Sequence, residues 1–264
     1  MMRKTVLSAL TLSLGLSACT TSPLGRSQLS LFDSSEIDQQ GQQAFDEYRQ
    51  NHKQATGRDG RYVSCIANAI IDTLPEGQGP SKWTVGVYQD DEPNAFALPG
   101  GYVVINTGLM SVAKNQDQIA TVVGHEMAHV LSHHANERTS TQSLTSTGLG
   151  VVQSVTGNNA LAQLLGAGAQ YGVLLPYSRR QESEADLLGL DLMARAGFDP
   201  KASIALWQNM ASAAGGGQPP EWASTHPNSG ARSEALKGRM QSAVKLSEQA
   251  HAAGHTPDCG SISS

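Results

Sequence analysis

Within the run from Asn115 to Arg138 stand His125, Glu126 and His129, two imidazoles four positions apart with a carboxylate beside the first. On a helix this spacing puts the histidines about 40° apart on one face, one turn from each other, so both can reach a single ion. Glu126, one step round, can hold a water that such an ion activates, which is the physical content of the His-Glu-x-x-His zinc pattern. With eight histidines in 264 residues, chance would produce the pattern in about one such sequence in a hundred. The helix reads independently of it: Ile119, Val122, Val123, Met127, Val130 and Leu131 recur at helical spacing, and Asn115 with Gln118 resembles a capping box.

A catalytic zinc takes three protein ligands and keeps one position open, so two histidines are not enough. Ser132 and Ala135 stand where the metzincin pattern needs Gly and a third His, which removes that reading. His133 falls one more turn along the same helix and His134 points away, so both read as surface residues or as hydrogen-bond partners of a ligand. The better candidate is a carboxylate on a helix from Arg179 to Ala196, whose apolar positions are Leu187, Leu188, Leu190 and Leu192 and which Gly197 and Pro200 end. Glu182 and Asp186 share one face of it: Glu182 can bind the ion, and Asp186 can accept a hydrogen bond from the outer nitrogen of a ligand histidine. Glu184 lies about 200° round from Glu182 and is expected in solvent.

The elements that position these residues are legible in outline. A helix capped at Ser34 or Ser35 runs to about Gln54, and a second spans Tyr62 to Leu74, ended by Pro75. Trp83 to Gln89 and Tyr102 to Ile105 read as strands. Between them the Pro99-Gly100-Gly101 turn would present a strand edge beside the zinc helix, suited to an extended peptide; a hairpin without a ligand is the alternative. Ser140 to Leu175, rich in Gly, Ala, Leu and Val and broken at Gly157-Asn158-Asn159, reads as two helices, either a mobile cover or a plain hairpin. Helices are expected over Lys201 to Ala214 and Ser229 to His251, with Gly215 to Pro220 a flexible loop and Thr225-His226-Pro227 an extended turn. The fold class is therefore α+β, mostly helical, with a small β-sheet beside the histidine helix.

Composition places the chain among ordinary globular proteins: 39% hydrophobic residues and a net charge of −5. The absence of a basic, aromatic-interleaved stretch argues against nucleic acid as a partner. Arg3 and Lys4 precede an apolar run, Val6 to Leu16, too short for a stable membrane anchor, and small residues close it. Residues 1–18 thus read as a secretory leader. Leu16-Ser17-Ala18-Cys19 resembles the bacterial lipobox, which implies a diacylglycerol on Cys19, membrane attachment through that lipid and, with Thr20 following, the periplasmic face of the outer membrane. Residues 19–30 read as a tether without packing, 31–251 as the folded domain and 252–264 as a tail. In an oxidising compartment Cys65 and Cys259 form an even pair, bridged or left as two buried thiols.

Taken together, Asn94-Ala95-Phe96-Ala97 with Pro99-Gly100-Gly101, Gly108-Leu109-Met110, His125-Glu126-x-x-His129, Glu182-x-x-x-Asp186 with Gly189, and Ala196 to Pro200 resemble the HtpX-like zinc metallopeptidases, gluzincins that also include the CAAX prenyl proteases. His226-Pro227 with Arg232 matches a further element of that family. The resemblance implies a zincin-type metallopeptidase domain and one Zn2+ held by His125, His129 and Glu182. It also implies Glu126 as catalytic carboxylate and a substrate strand edge at Gly101, Tyr102, Val103 and Val104. It is nearest to the soluble periplasmic branch, so the expected activity is zinc-dependent endopeptidase action on misfolded or unassembled envelope polypeptides. A lipid-anchored, chaperone-like binding protein with little proteolysis is the rival. For His226 two roles stand open: a donor to the oxyanion, or a fourth ligand that holds the enzyme latent, as the branch suggests.

Overall fold

Caps and breakers written in the sequence set most of the element boundaries. A computed structural model describes residues 19–157, 159–169, 175–214, 220–227 and 230–261. The expected leader, 1–18, and the glycines at 215–217 lie outside the described residues. The chain opens with an antiparallel pair, β1 (Cys19–Thr21) and β2 (Ser27–Leu29). Helix α1 (Ser34–Asn51) follows, capped one residue earlier than expected by Asp33, whose carboxylate accepts from the Ser35 amide. Helix α2 (Arg58–Ile71) begins a turn before the expected Tyr62.

Next come β3 (Thr84–Tyr88), β4 (Ala95–Leu98) and β5 (Tyr102–Asn106), joined in a three-stranded sheet of order β3-β5-β4. Gly100 and Gly101 adopt φ of +82° and +89°, which side chains resist, and reverse the chain between β4 and β5. Strand β5 returns into the middle, antiparallel to β4 and parallel to β3. The expected edge at Gly101 to Val104 is therefore corrected: Tyr102, Val103 and Val104 are paired on both sides, and the edge nearest the histidine helix belongs to β4. Alternation along β5 splits its side chains between two layers. Val103 and Ile105 join the main core, while Val104 packs with Phe45 of α1 and Tyr88.

After the short α3 (Leu109–Val112) the histidine helix α4 spans Gln116–Leu131. Its start is a reciprocal cap: the Asn115 side chain accepts from the Gln118 amide at 2.9 Å, and Gln118 Oε1 accepts from the Lys114 amide at 2.7 Å. Ile119, Ala120, Val122, Val123, Met127 and Ala128 are all buried, so α4 is wrapped on every side and runs through the core. At about 1.5–3 kcal/mol per large apolar side chain removed from water, this helix is the main scaffold. It stops at Leu131; His133 takes φ +50°, and α5 (His134–Thr156) sets off in a new direction, six residues before the expected Ser140.

The remaining helices are α6 (Asn159–Ala169), α7 (Leu175–Arg195), α8 (Ala202–Ala214), α9 (Glu221–Thr225) and α10 (Gly230–Ala252). No described helix is long and apolar enough to cross a membrane. Cys65 of α2 and Cys259 in the tail form a disulfide. The tail also reaches the start of α4, where Gln116 Nε2 donates to the Pro257 carbonyl at 2.8 Å and the Cys259 amide to Gln116 Oε1 at 3.0 Å.

The other end of α4 is held by residues expected to be an unpacked tether, and that expectation is corrected. Gln28 is buried and donates to the Ser132 carbonyl at 2.6 Å. Arg26 donates to both oxygens of Glu137 at 2.5 and 2.7 Å. A Ser/Thr/Gly-rich composition suggested solvation; the few polar side chains it contains instead find buried partners. Cys19 itself is exposed and free.

Candidate metal centre

Helices α4 and α7 cross with backbone contact at Gly124 and Gly189, and the crossing sets three donor atoms face to face. His125 Nε2 lies 3.1 Å from His129 Nε2 and 3.3 Å from Glu182 Oε2, and His129 Nε2 lies 3.5 Å from Glu182 Oε1. A tetrahedral zinc with bonds of about 2.0–2.1 Å has ligand-to-ligand edges of about 3.3–3.4 Å, so the spacing suits one ion. Glu182 Oε2 is buried with no hydrogen-bond partner, although the Arg232 guanidinium stands 3.4 Å away. A buried acceptor left unpaired is what a bound cation would satisfy. His226 completes a group of four whose ligand atoms all lie within 4.8 Å of one another.

The surroundings prepare the histidines. Asp186 Oδ1 stands 3.1 Å from His125 Nδ1 and is itself gripped by Arg232, Nε to Oδ2 at 2.6 Å and Nη2 to Oδ1 at 2.7 Å. A proton on His125 Nδ1 leaves Nε2 as the free lone pair facing the cluster. Without an ion, burial pulls the His125 imidazole down, but the negative carboxylates of Asp186 and Glu182 facing it outweigh that and hold its pKa at about 9. His129 is driven well below the ordinary value by burial and then by the neighbouring His125, His134 and His226, which keeps it neutral. Glu182 and Asp186 are lowered despite burial, Glu182 by His125 and Asp186 by Arg232 and then His125.

Glu126 sits beside the cluster with both oxygens engaged. Trp222 Nε1 donates to Oε1 at 2.8 Å and the Ala97 amide of β4 to Oε2 at 3.0 Å. His226, four residues after Trp222, caps α9; its Nε2 is 3.7 Å from Glu126 Oε1, and its ring centroid is 5.1 Å from that of His125. The centre opens on a cleft of about 630 Å³ lined by Phe96, Ala97, Glu126, His129, Glu182 and His226, in the size range of ligand-binding clefts.

The residues singled out in the sequence, His125, Glu126, His129, Glu182, Asp186 and His226, are thus brought together, whereas Tyr102 to Val104 are not. Glu184, expected in solvent, is buried, bonded through Oε2 to His134 Nε2 at 3.1 Å. His134 is buried too, with its Nδ1 2.8 Å from His129 Nδ1. Trp222, which belongs to no motif in the sequence, joins the site; its place one helical turn before His226 is the available signal.

A helical scaffold with a small sheet, and a His-Glu-x-x-His helix facing a glutamate on a second helix, define a zincin-type metallopeptidase. The Peptidase family M48 profile matches residues 59–240, and the chain belongs to that family, whose metallopeptidases use zinc. The chain is 36% identical over 200 residues to the mitochondrial metalloendopeptidase OMA1 of Schizosaccharomyces pombe, a match covering 75% of this chain and 56% of the relative. The human mitochondrial OMA1 is 30% identical over 241 residues, covering 85% and 46%. The beta-barrel assembly-enhancing protease of Escherichia coli K12 is 31% identical over 177 residues, covering 63% and 36%. The chain spans about half the length of the OMA1 relatives.

These comparisons correct one expectation outright. Relatives matching three quarters or more of the chain are mitochondrial by name, which overturns the placement on the periplasmic face of the outer membrane. The affinity to a soluble periplasmic branch also broadens, since mitochondrial and bacterial relatives both match.

Proposed function

We propose that this chain is a zinc-dependent endopeptidase of membrane-protein quality control that cuts misfolded or unassembled polypeptides. The observation that carries the reading is the convergence of His125, His129 and Glu182 at tetrahedral-edge distances, with a buried Glu182 oxygen unpaired and Glu126 alongside. The names of the relatives, one a beta-barrel assembly-enhancing protease and others mitochondrial metalloendopeptidases, support a protease of membrane-protein quality control.

A zinc ion held there would polarise a peptide carbonyl and lower the pKa of an attacking water. His125, His129 and Glu182 would hold it, and Asp186 with Arg232 keeps the His125 lone pair aimed inward. Glu126 takes the proton of the water as it adds to the scissile carbonyl, then passes it to the leaving amine. The Trp222 indole and the Ala97 amide fix the direction of its carboxylate. An extended polypeptide would lie along the outer edge of β4, where Phe96 and Ala97 line the cleft, held by backbone hydrogen bonds that ignore side-chain identity.

His226 is the gate. Its Nδ1 is 3.2 Å from the Trp222 carbonyl, and a proton shared there leaves Nε2 free toward the cluster, so in this conformation it would fill the position a substrate needs and keep the enzyme latent.

The test is degradation of unfolded casein by the purified chain. Zinc-dependent cleavage that a chelator stops and Glu126→Gln abolishes, with zinc still bound by the variant, is the expected result. Cleavage at the wild-type rate by Glu126→Gln would overturn the assignment, and stable capture of casein without cleavage would favour a chaperone-like role.

A further inference from the structure

His129 has no carboxylate directly behind it, unlike His125, yet its outer nitrogen is not free. Its Nδ1 faces His134 Nδ1 at 2.8 Å, and a hydrogen bond between two imidazole nitrogens requires one to donate and the other to accept. The far side of His134 decides which. Its Nε2 lies 3.1 Å from Glu184 Oε2, and an ionised carboxylate only accepts. The proton of His134 therefore sits on Nε2, its Nδ1 carries the lone pair, and His129 must donate from Nδ1. His129 Nε2 is left unprotonated where it faces His125 and Glu182.

Glu184 is in turn fixed by residues that precede the family-matched region. The Ser22 hydroxyl donates to Oε1 and Arg26 Nε to Oε2 at 2.7 Å. Arg26 is braced by Glu137, which Gln181 Nε2 also contacts at 2.8 Å. The arrangement repeats the one behind His125, a carboxylate clamped by an arginine, but is longer by one imidazole and ends on the β1–β2 hairpin.

We propose that His134, Glu184 and Arg26 act in series as positioning residues for His129, fixing its proton on Nδ1 and so setting how tightly the site holds its metal ion. The proposal rests on His129 being a ligand, and it makes metal affinity depend on docking of the N-terminal hairpin. Without Glu184 the His134 proton can move to Nδ1, which drives the His129 proton onto the nitrogen that should bind the ion.

Zinc dissociation constants of the metal-free full chain, measured by competition with a chromophoric chelator, test this. Loss of such outer partners costs about ten- to a hundredfold in affinity. That range is expected for Glu184→Ala and His134→Ala, with a smaller loss in the same direction for Arg26→Ala. Glu184→Gln, which keeps an acceptor for His134, should recover most of the loss. The double variant His134→Ala/Glu184→Ala should be no weaker than His134→Ala alone, because members of one chain are not additive. Circular dichroism of the metal-free variants establishes that they fold; should Glu184→Ala fail to fold, Glu184→Gln and Arg26→Ala carry the comparison.

Wild-type affinity in folded Glu184→Ala and His134→Ala, or additive losses in the double variant, would overturn the chain while leaving the ligand assignment intact. Failure of the wild-type protein to bind zinc would remove both.

Discussion

Gly124 and Gly189 meet where α4 crosses α7, and neither has room for a side chain. A Cβ on Gly124 would lie 2.7 Å from the Gly189 carbonyl oxygen, and one on Gly189 would lie 2.7 Å from the His125 amide nitrogen. Both neighbours are backbone, so nothing flexible can yield. The approach of the two helices, and with it the distance from the His125 ring to Glu182, depends on these two missing methyl groups. Gly189→Ala should destabilise the fold by about 1–3 kcal/mol, as overpacking does, and weaken zinc binding as well. Urea unfolding and zinc titration check both effects; a variant with unchanged affinity would mean the helix separation does not set the metal geometry.

His226 is proposed to hold the enzyme latent, so its removal should raise activity. His226→Ala takes away the fourth donor while leaving His125, His129 and Glu182 in place, so casein cleavage should increase several-fold at saturating zinc. If the imidazole instead steadies the oxyanion, turnover should fall by about a hundredfold or more. The sign of the change in kcat separates the two roles.

Zinc uptake should expel a proton. In the metal-free protein burial lowers the His125 pKa, but the facing carboxylates of Asp186 and Glu182 hold it near 9, above the unfolded value of about 6.5. A raised folded pKa contributes stability that is complete below the unfolded value and is lost as pH rises through about 9. Metal-free protein should therefore lose stability between these limits. Zinc binding at pH near 7.5 should release close to one proton per ion. Calorimetry in buffers of different ionisation enthalpy reads that number, and a release near zero would contradict it.

Acid should act on the opposite side. Burial raises the Glu184 carboxyl, but His134, Ser22 and Arg26 together bring it down to about 2. A lowered folded pKa contributes stability present above the unfolded value and lost as pH falls through about 2. The midpoint of urea unfolding should drop over that window, and less so in Glu184→Gln.

The disulfide spans 194 positions, and in the chain-entropy model so long a loop contributes about 5 kcal/mol at most. Cys65→Ser/Cys259→Ser should lower the melting temperature markedly while leaving the α4–α7 crossing intact. An unchanged melting temperature would mean that contacts of the tail with Gln116 suffice.

The metal site was legible in the sequence wherever its logic is local. His125 and His129 stand one turn apart on a helix with a readable cap, and Asp186 stands one turn after Glu182, so helical geometry alone puts each pair on a common face. Legibility ended where the helix does. Continuing α4 past Leu131 sent His134 outward, but His133 at φ +50° redirects the chain and turns His134 back onto His129. Glu184 was placed on the correct side of α7, about 200° from Glu182; what could not be read was that Ser22 and Arg26 cover that side. The strand edge failed for a related reason. The Pro99-Gly100-Gly101 turn announces a hairpin, but the return of β5 between β4 and β3 is set by long-range pairing that no local pattern encodes.

The two ends of the described chain hold opposite ends of one helix: Cys259 and Pro257 grip Gln116, and Gln28 grips Ser132. They act as handles on a rod of 16 residues, about 24 Å long, that carries both imidazoles. Displacing either handle would therefore shift the seat of both imidazoles, so the two ends of the described chain act jointly in keeping that rod in register with the carboxylate opposite.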